Sequence, residues 1–594
     1  MDTVTVESAS VADTGEDAGD ARGEPSAAEA TRASAARRLA RDPVVLVAAV
    51  LVLLPTIAAI VSALRNPWVP SDDWALLELQ VRAVGTADTP LLGAWSRFGW
   101  DHPGPWPLYL LAAFYRLVPG EHGLLFAAAA VNLSAVVGCV AVAMRRPRTQ
   151  ALVVLIALAV LQRGMGIQTL GDPWNPLLPI LPFALYCLVC LEAVIDRRRW
   201  MLPVAAACGS FAVQAHIGFA QPVLLVGLAA AAGAWWAARG RAPGADGRAA
   251  GPAGVADRAG ARRRWQAALP TAVVLLVAWA PVLLDQVAGD GNVGMIVRWA
   301  LGDEVGPDMG PVSEGRLPAD RVAGAASWLL DPFGPWVGND DHPVAFGLEL
   351  IGNRPPWHLL WVPVALVGAT VLAARAVDPA ERRRSVGAVV VAAAGVAATL
   401  TDLTTARGAP VLWPFRWVSV VTMLVWIAAG WAVTDAVAAA VRHRRGWTRW
   451  GGTARRVVAA GLVGLVAVPV VATVWRGSLG HQPVERASDE LVRLVPAIRE
   501  HTRDEDVVVA NSTTMLVSVD LALPVILARE GIPWIERDDP GAPGYAQFGI
   551  IRASDLDGPL GAAVERGEVE VLARSRPRGD RDADAALVLV QIYP

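Results

Sequence analysis

Two adjacent carboxylates follow directly after the first long apolar run of the chain. That run covers residues 43–64, and the segment SDDW follows at residues 71–74, with Asp72 and Asp73 at its centre. An aspartate with the usual pKa of about 3.9 is ionised at neutral pH, and a well-placed carboxylate can take a proton from a hydroxyl. Apolar residues are sufficient to anchor a chain in a membrane, so anchoring does not explain an acidic pair at this position. The pair is therefore the first candidate for catalysis.

The same pair has a structural alternative, as a helix cap. Ser71 or Asp72 ahead of WALLELQ suits the N-cap position, which contributes about 1 kcal/mol, and acids in a first turn favour the helix dipole. One acid is enough for a cap, so the second favours a function. We expect one aspartate to be the base, with Asp72 favoured, and the other to act as cap or support.

Other loops between apolar runs hold further candidates. His102 lies in DHPGPWPL, Asp172 and Trp174 lie in GDPWNP, and His216 lies in QAHIGFAQ. A tryptophan offers a flat apolar face to a sugar, and Asp172 and Asn175 can point into the same site. The alternatives are a proline-rich turn for GDPWNP and local satisfaction of a lone histidine.

Two arginines are expected on the outer side of the membrane, whereas the clusters of basic residues are expected on the cytoplasmic side. Arg407 and Arg416 lie in TARGAPVLWPFRW, and Arg416 enters an apolar run. An arginine at the membrane edge normally pairs with an anion, and a donor phosphate is a natural partner. The alternative is that these side chains reach the lipid headgroups.

Metal binding is a weaker possibility. The segment NDDHP holds Asp340, Asp341 and His342, which are candidate ligands of a divalent metal, although a solvated loop explains them better. The four cysteines all lie in apolar runs and are interpreted as small buried hydrophobes. No certain cofactor is predicted.

Composition places these residues in a polytopic membrane protein. The chain has 594 residues, of which 54% are hydrophobic and 18% charged, and a net charge of −3 that carries no sign of nucleic-acid binding. About eleven apolar runs are long enough to cross a bilayer. They lie at 43–64 and near 121–144, 149–166, 175–195, 200–218, 219–238, 267–286, 357–375, 384–401, 411–436 and 455–475.

The predicted fold is an all-α membrane domain at 43–475 with a small α/β domain at 476–594. Residues 1–42 have too few apolar side chains for a core and are predicted to be a disordered tail. Basic linkers alternate with acidic or aromatic ones, which places the N-terminus in the cytoplasm and residues 476–594 outside the cell membrane. The proline-rich segment 99–120 is predicted to lie in the interface.

The order of these motifs resembles the GT-C superfamily, whose members are multi-span glycosyltransferases that use polyprenyl-phosphate sugars. The first outer loop of that family typically carries an acidic motif, here Asp72-Asp73. SDDW matches an Asp-Asp-Trp of the mycobacterial arabinosyltransferases. DHPGPWPL is similar to a His-Pro-Pro-Leu motif of protein mannosyltransferases, with Gly104 in place of the second proline. By motif the resemblance covers about the first 120 residues.

The resemblance implies a hexosyl- or pentosyltransferase acting on the outer face of the membrane. Its partners would be a polyprenyl-phosphate sugar donor, an envelope glycan, lipid or protein acceptor, and membrane lipids. Asp72 or Asp73 would be the base and Arg416 the leading phosphate contact. The alternatives are a transporter or lipid flippase, disfavoured because the acids lie in loops rather than at mid-span, and an inactive relative that scaffolds envelope assembly.

Overall fold

The structure is a computed structural model of the chain. It describes residues 42–96, 98–196, 200–239, 253–302, 319–332, 356–376, 378–405, 413–443, 452–477, 483–502, 508–510, 521–536, 547–575 and 586–593. The helices of the membrane domain are α1 (Pro43–Arg65), α2 (Asp72–Ala83), α3 (Trp106–Tyr115), α4 (Gly123–Ala143), α5 (Arg148–Gly171), α6 (Ile180–Asp196), α7 (Met201–Ala215), α8 (Ala220–Arg239), α9 (Ala253–Ala288), α10 (Asn292–Leu301), α11 (Ala319–Leu329), α12 (Trp361–Ala374), α13 (Pro379–Thr405), α14 (Val418–His443) and α15 (Gly452–Gly477).

These helices confirm an all-α polytopic membrane domain. Within the described residues, eight helices are long and apolar enough to cross a bilayer: α1, α4, α5, α8, α9, α12, α13 and α14. Shorter apolar helices among the described residues are α3, α6, α7 and the stretch Ala460–Trp475 of α15. Each of these helices except α3 coincides with one of the eleven apolar runs of the sequence. The four cysteines are free, and all but the half-buried Cys208 are buried in these helices.

Helix α3 lies within the segment predicted for the interface. Its ten residues extend about 15 Å, roughly half of the hydrocarbon thickness of a bilayer. It packs instead against α2, α4 and α7. The membrane domain therefore carries a short layer, made of α2 and α3, at one end of the bundle.

Helix α5 forms the centre of the bundle. It packs against α1, α14 and α15, and one continuous apolar core joins these helices to α4, α6 and α13. Small residues allow close approach in such bundles because the backbones can come nearer to one another. A Cβ on Gly430 of α14, for example, would lie only 2.8 Å from the side chain of Val153 on α5.

The C-terminal part is a small α/β domain, as predicted. Its helices are α16 (Pro483–Thr502), α17 (Ala522–Glu530) and α18 (Pro559–Glu565). Two further strands, β1 (Trp95–Ser96) and β2 (Trp100–Asp101), belong to the membrane domain. The sheet of the C-terminal domain runs β4-β3-β5-β7-β6, with β3 (Val508–Ala510), β4 (Trp534–Glu536), β5 (Gln547–Arg552), β6 (Val569–Arg574) and β7 (Leu587–Ile592).

Pairing within this sheet is mixed. Strand β3 pairs in parallel with β4 and β5, whereas β7 is antiparallel to both β5 and β6. In the sequence, SDELVRLVPAIREHT and LALPVILAREG predict helices α16 and α17, and DVVVANS and ALVLVQIY predict strands β3 and β7. The sequence did not predict β4, β5, β6 or the β1–β2 hairpin.

The C-terminal domain docks on the segment that carries the acidic pair. Val69, two residues before SDDW, belongs to the same apolar core as Leu491 of α16 and Phe548 of β5. Only α1 separates Asp42 from Val69 along the chain. Helix α1 is long and apolar enough to cross a bilayer, and such a crossing would place Asp42 and the C-terminal domain on opposite sides of it.

Contacts at the other end of α1 agree with this arrangement. Asp42 caps α1 by accepting from the Val44 amide at 3.0 Å, and its carboxylate lies 3.4 Å from the Arg148 guanidinium. Arg148 belongs to the basic linker between α4 and α5, which is expected to face the cytoplasm.

We predict that cysteine labelling from outside the cell reaches residue 565 and misses residue 378. Glu565 and Asp378 are both exposed and lie on opposite sides in the predicted topology. Glu565→Cys and Asp378→Cys, each in a background without the four native cysteines, should react with a membrane-impermeant maleimide only in the first case. Permeabilised cells provide the control, since both positions should then react. The reverse pattern would contradict the orientation.

Candidate active site

Helix α2 begins at the acidic pair. Ser71 occupies the N-cap and makes no side-chain capping hydrogen bond, and Asp72 and Asp73 are the first two helical residues. Neither acid therefore caps the helix, and of the two roles expected for the second acid, cap or support, only that of support remains. Both carboxylates instead stand at the positive end of the helix dipole, which stabilises their ionised forms.

Asp72 has an unusual backbone conformation. Its φ is 50°, the only positive value at a non-glycine position among the described residues. Aspartate is one of the few L-residues that tolerate this left-handed region, and such conformations cost of order 1–3 kcal/mol unless the surroundings hold them. Residues of this kind concentrate at functional sites. The geometry thus singles out Asp72 within the pair.

The motifs SDDW and GDPWNP interlock through two reciprocal hydrogen bonds. The indole N–H of Trp174 donates to Oδ2 of Asp73 at 3.0 Å, and the indole N–H of Trp74 donates to Oδ1 of Asp172 at 2.8 Å. The two indole rings lie 5.3 Å apart at an interplanar angle of 33°. The structure therefore brings together Asp72, Asp73, Asp172 and Trp174, four of the predicted site residues.

A break in α5 precedes Asp172. Gly166 has φ 74° and ψ 162° within that helix, a conformation that only glycine adopts readily. The turn after Gly166 ends at Asp172, which is the C-cap and also accepts from the Trp174 amide at 2.9 Å. Burial raises the pKa of Asp172 to about 6, and the hydrogen bonds from Trp74 and Trp174 lower it in part.

Arg416 lies close to this interlock. The Trp413 ring is 5.5 Å from the Trp174 ring, and Arg416 follows the 3-10 turn Trp413–Phe415. Arg416 also lines a cavity whose space, including its open mouth, is about 410 Å³. The other lining residues are mostly apolar: Leu161, Gly164, Met165, Thr169, Ile180, Trp328, Leu329, Phe415 and Ser419.

Sequence reasoning missed a second arginine in this region. Arg163 lies inside the span α5, one residue before the cavity-lining Gly164, and is only 9% exposed. An ionisable residue within a span is by default a functional candidate. Arg163 is the single charged residue within the apolar run at 149–166, and this feature of the sequence could have identified it.

The two predicted histidines form a second group. The rings of His102 and His216 lie 4.6 Å apart. The Nδ1 atom of His102 accepts from the Ile217 amide at 3.3 Å, and the Nδ1 atom of His216 accepts from the Gly218 amide at 3.1 Å. Each ring thus keeps its Nε2 as the protonated nitrogen when neutral.

These histidines stay neutral at physiological pH. Burial and then the neighbouring His216 hold the pKa of His102 well below its usual value, and burial lowers the pKa of His216 to about 4. The pair can therefore donate hydrogen bonds to an anion through Nε2–H but brings no positive charge to it.

The β1–β2 hairpin holds His102 in place. The His102 amide donates to the Ala94 carbonyl at 2.8 Å, and the Gly93 amide donates to the His102 carbonyl at 2.9 Å. On the other side, a Cβ on Gly218 would lie 3.5 Å from the Pro414 carbonyl oxygen. The histidine pair therefore adjoins the turn that carries Trp413 and Arg416.

Asn175 faces a smaller cavity of about 260 Å³. Its lining includes Pro173 of GDPWNP, Gly93 and Gly104 of the first loop, and Gln214 of α7. The cavity thus separates the acid-bearing and histidine-bearing parts of the site.

Some predicted residues lie outside the part of the chain that the structure describes. They are Arg407, Asp340, Asp341 and His342. Within the described part, no group of three or more histidine, cysteine, aspartate or glutamate side chains could hold a metal ion.

Comparison with solved structures identifies the fold. The crystal structure of ArnT from Cupriavidus metallidurans in the apo state superposes with a TM-score of 0.52, covering 91% of this chain and 97% of that chain at 15% sequence identity. No protein-family model matches the sequence, and no curated protein matches it. The chain therefore shares its fold with ArnT.

Asp172 provides a test of the interlock. Asp172→Asn keeps an oxygen that accepts from Trp74 and from the Trp174 amide, so we expect its thermal stability at pH 7 to be at least that of the wild type. Asp172→Leu leaves both donors unpaired, which costs about 1–3 kcal/mol for each buried group, and its melting temperature should fall clearly. Purified protein in one detergent, followed by intrinsic fluorescence, measures both.

The pH dependence of the same variants has a definite sign. The folded protein holds the Asp172 proton up to about pH 6, whereas the unfolded chain releases it near pH 4. Stability from this group is therefore lost as the pH rises from about 4 to about 6. The wild type should lose stability relative to Asp172→Asn across that window, and parallel pH profiles of the two proteins would contradict the raised pKa.

Proposed function

We propose that this chain is a membrane glycosyltransferase that transfers a sugar from a polyprenyl-phosphate donor to a hydroxyl of a cell-envelope glycan, lipid or protein. The reaction takes place on the outer face of the cell membrane, where α2 and the C-terminal domain lie. The sugar is a pentose or hexose, as in the arabinosyl- and mannosyltransferases whose motifs the first loop resembles.

One observation carries this proposal. Two acidic motifs that are about 100 residues apart, SDDW and GDPWNP, lock together beside an arginine-lined apolar cavity, within a fold shared with ArnT. A polyprenyl-phosphate donor has an apolar chain, an anionic phosphate and a sugar. The cavity, Arg416 and the Asp–Trp cluster offer one chemical environment for each of these parts.

The proposed reaction needs one base and one anion-binding group. The acceptor oxygen attacks the anomeric carbon of the sugar as the bond from that carbon to the phosphate oxygen breaks. The hydroxyl proton passes to a carboxylate, and the bonding electron pair stays with the departing phosphate. Because a phosphate leaves as a stable anion, no acid is needed to protonate it, unlike in glycoside hydrolases.

Asp72 is the proposed base. Asp73 is held by the indole of Trp174, which suits a supporting role. Asp72 has the left-handed backbone and is half-buried at the start of α2, and its carboxylate lies 3.4 Å from the Ser71 hydroxyl. The difference in surroundings supports the assignment of different roles to the two acids.

Asp72→Asn is expected to lower the rate of transfer by at least about 10², the lower end of the loss expected for a general base. Asparagine keeps the size of aspartate but cannot accept a proton near neutral pH. Asp73→Asn should spare most of the activity, because its amide oxygen still accepts from Trp174. The measurement is transfer from a radiolabelled polyprenyl-phosphate sugar in proteoliposomes, with both variants matched to wild type in yield and melting temperature.

Near-normal activity in both variants would show that the acidic pair is structural. That outcome would remove the main support for glycosyl transfer and would favour the transport of lipid-linked precursors instead.

Arg416 is the proposed contact of the donor phosphate. Arg416 lines the apolar cavity and follows by three residues Trp413, whose ring lies 5.5 Å from that of Trp174. A guanidinium binds phosphate through two parallel N–H bonds, which adds direction to the charge. The neutral histidines His102 and His216 are proposed to add hydrogen bonds from Nε2–H.

Arg416→Ala should raise the KM for the donor more than the KM for the acceptor. A charge-assisted hydrogen bond contributes about 1.5–3 kcal/mol, which corresponds to roughly a tenfold or larger change in affinity. Arg416→Lys should recover only part of the loss, because lysine keeps the charge without the planar fork. An unchanged donor KM in both variants would assign Arg416 to the lipid headgroups.

A further inference from the structure

We infer that the C-terminal domain positions helix α2, and with it the acidic pair, through a buried ion pair between Glu78 and Arg529. The catalytic consequence rests on the proposed function, whereas the positioning itself does not. Glu78 belongs to α2, and Arg529 stands in the last turn of α17 in the C-terminal domain. The two residues are 451 positions apart in the chain.

The geometry of this pair is bidentate. The Arg529 Nε donates to Oε1 of Glu78 at 2.8 Å, and Nη2 donates to Oε2 at 2.6 Å. The third nitrogen, Nη1, donates to the Trp68 carbonyl at 3.0 Å. The side chain of Glu78 is fully buried, and that of Arg529 is 7% exposed. The guanidinium thus joins α2 to the segment that connects it with α1.

Further hydrogen bonds surround the pair. The Tyr115 hydroxyl of α3 donates to Oε1 of Glu78 at 2.9 Å and accepts from Nη1 of Arg82 at 3.0 Å. Nη2 of Arg82 donates to the Ala528 carbonyl at 2.5 Å. Two residues of α2 therefore bind two consecutive residues of α17, and α3 closes the network.

A buried ion pair is weak evidence of stabilisation by itself, because desolvation offsets much of its attraction. Its main contribution is to fix the orientation in which the two helices dock. Breaking one partner leaves an unpaired buried charge at a cost of about 3–5 kcal/mol, so the two helices dock in one orientation. This suits a role in orienting α2 better than a role in general stability.

Position along α2 links the ion pair to the acids. Glu78 follows Asp72 by six residues, or about 9 Å of helix. One end of α2 is held by the hydrogen bonds of Asp73 and Trp74 to the GDPWNP segment, and the middle is held by Arg529. A short helix fixed at two points moves as a rigid body. A loss of the second point would therefore change the angle at which Asp72 is presented.

The test compares Arg529→Gln and Glu78→Gln with a matched control, Arg499→Gln. Arg499 pairs with Glu530 at 2.5 Å, but that pair is exposed and joins α16 to α17 within the C-terminal domain. Hydrogen exchange followed by mass spectrometry measures the amides of α2 and of strand β7 in the purified full chain. Steady-state kinetics measures kcat and the donor KM.

In Arg529→Gln and Glu78→Gln, exchange in α2 should accelerate at least tenfold while β7 stays protected, and kcat should fall at least tenfold with little change in the donor KM. Arg529→Lys should recover part of both effects, since lysine still pairs with Glu78. Arg499→Gln should match the wild type in each readout.

Unchanged exchange in α2 in both Gln variants would overturn the inference, whatever their activity. Faster exchange in α2 with unchanged kcat would overturn the claim that the ion pair positions the acids. If β7 also loses protection in Arg529→Gln, that variant has destabilised the C-terminal domain. The exchange of α2 in Glu78→Gln then tests the inference, because this variant leaves the C-terminal domain unaltered. If the wild type transfers no sugar, the exchange result still tests the positioning, and only the proposed function fails.

Discussion

Buried polar groups are costly without partners, and the pairs that satisfy Trp74, Trp174 and Glu78 determine how the layer around α2 is assembled. An unpaired amide or indole costs several kcal/mol in apolar surroundings, and an unpaired charge costs far more. Here Trp74 and Trp174 are matched by Asp172 and Asp73, and Glu78 is matched by Arg529. Each partner comes from a different part of the chain. The same contacts that satisfy buried groups therefore fix how α2, the end of α5 and the C-terminal domain meet.

The elements of the membrane domain were predictable because the bilayer sets their length. A span needs about 20 apolar residues, and that criterion located every apolar helix of the described residues except the short α3. The C-terminal domain has no such constraint. Its strands β4 and β3 have three residues each, too few for a clear alternation of apolar and polar side chains. The sequence consequently indicated an α/β domain without the order of its sheet.

The candidate site was predictable as a set of residues but not as an arrangement. The types and loop positions of Asp72, Asp172 and His216 identified them one at a time. Their pairing depends on tertiary contacts over long separations, such as the 98 residues between Trp74 and Asp172. Nothing in the sequence indicated that Glu78 would be buried, since a glutamate in a short helix is normally solvent-exposed. Only the docking of α17, 451 residues away, turns it into a buried partner.

A carboxylate base beside an anionic donor faces a problem of like charges, and the observed distribution of charge reduces it. Three aspartates cluster near the proposed donor site, and each full negative charge would weaken the binding of a phosphate in a medium of low dielectric. Burial raises the pKa of Asp172 to about 6, so this acid can take up a proton close to neutral pH and lose its charge as an anion approaches. The indole N–H groups of Trp74 and Trp174 spread the charge of Asp172 and Asp73. Arg416 then adds a positive charge on the cavity side. Asp72, with its left-handed backbone at the start of α2, is then the acid to which we assign the acceptance of the proton.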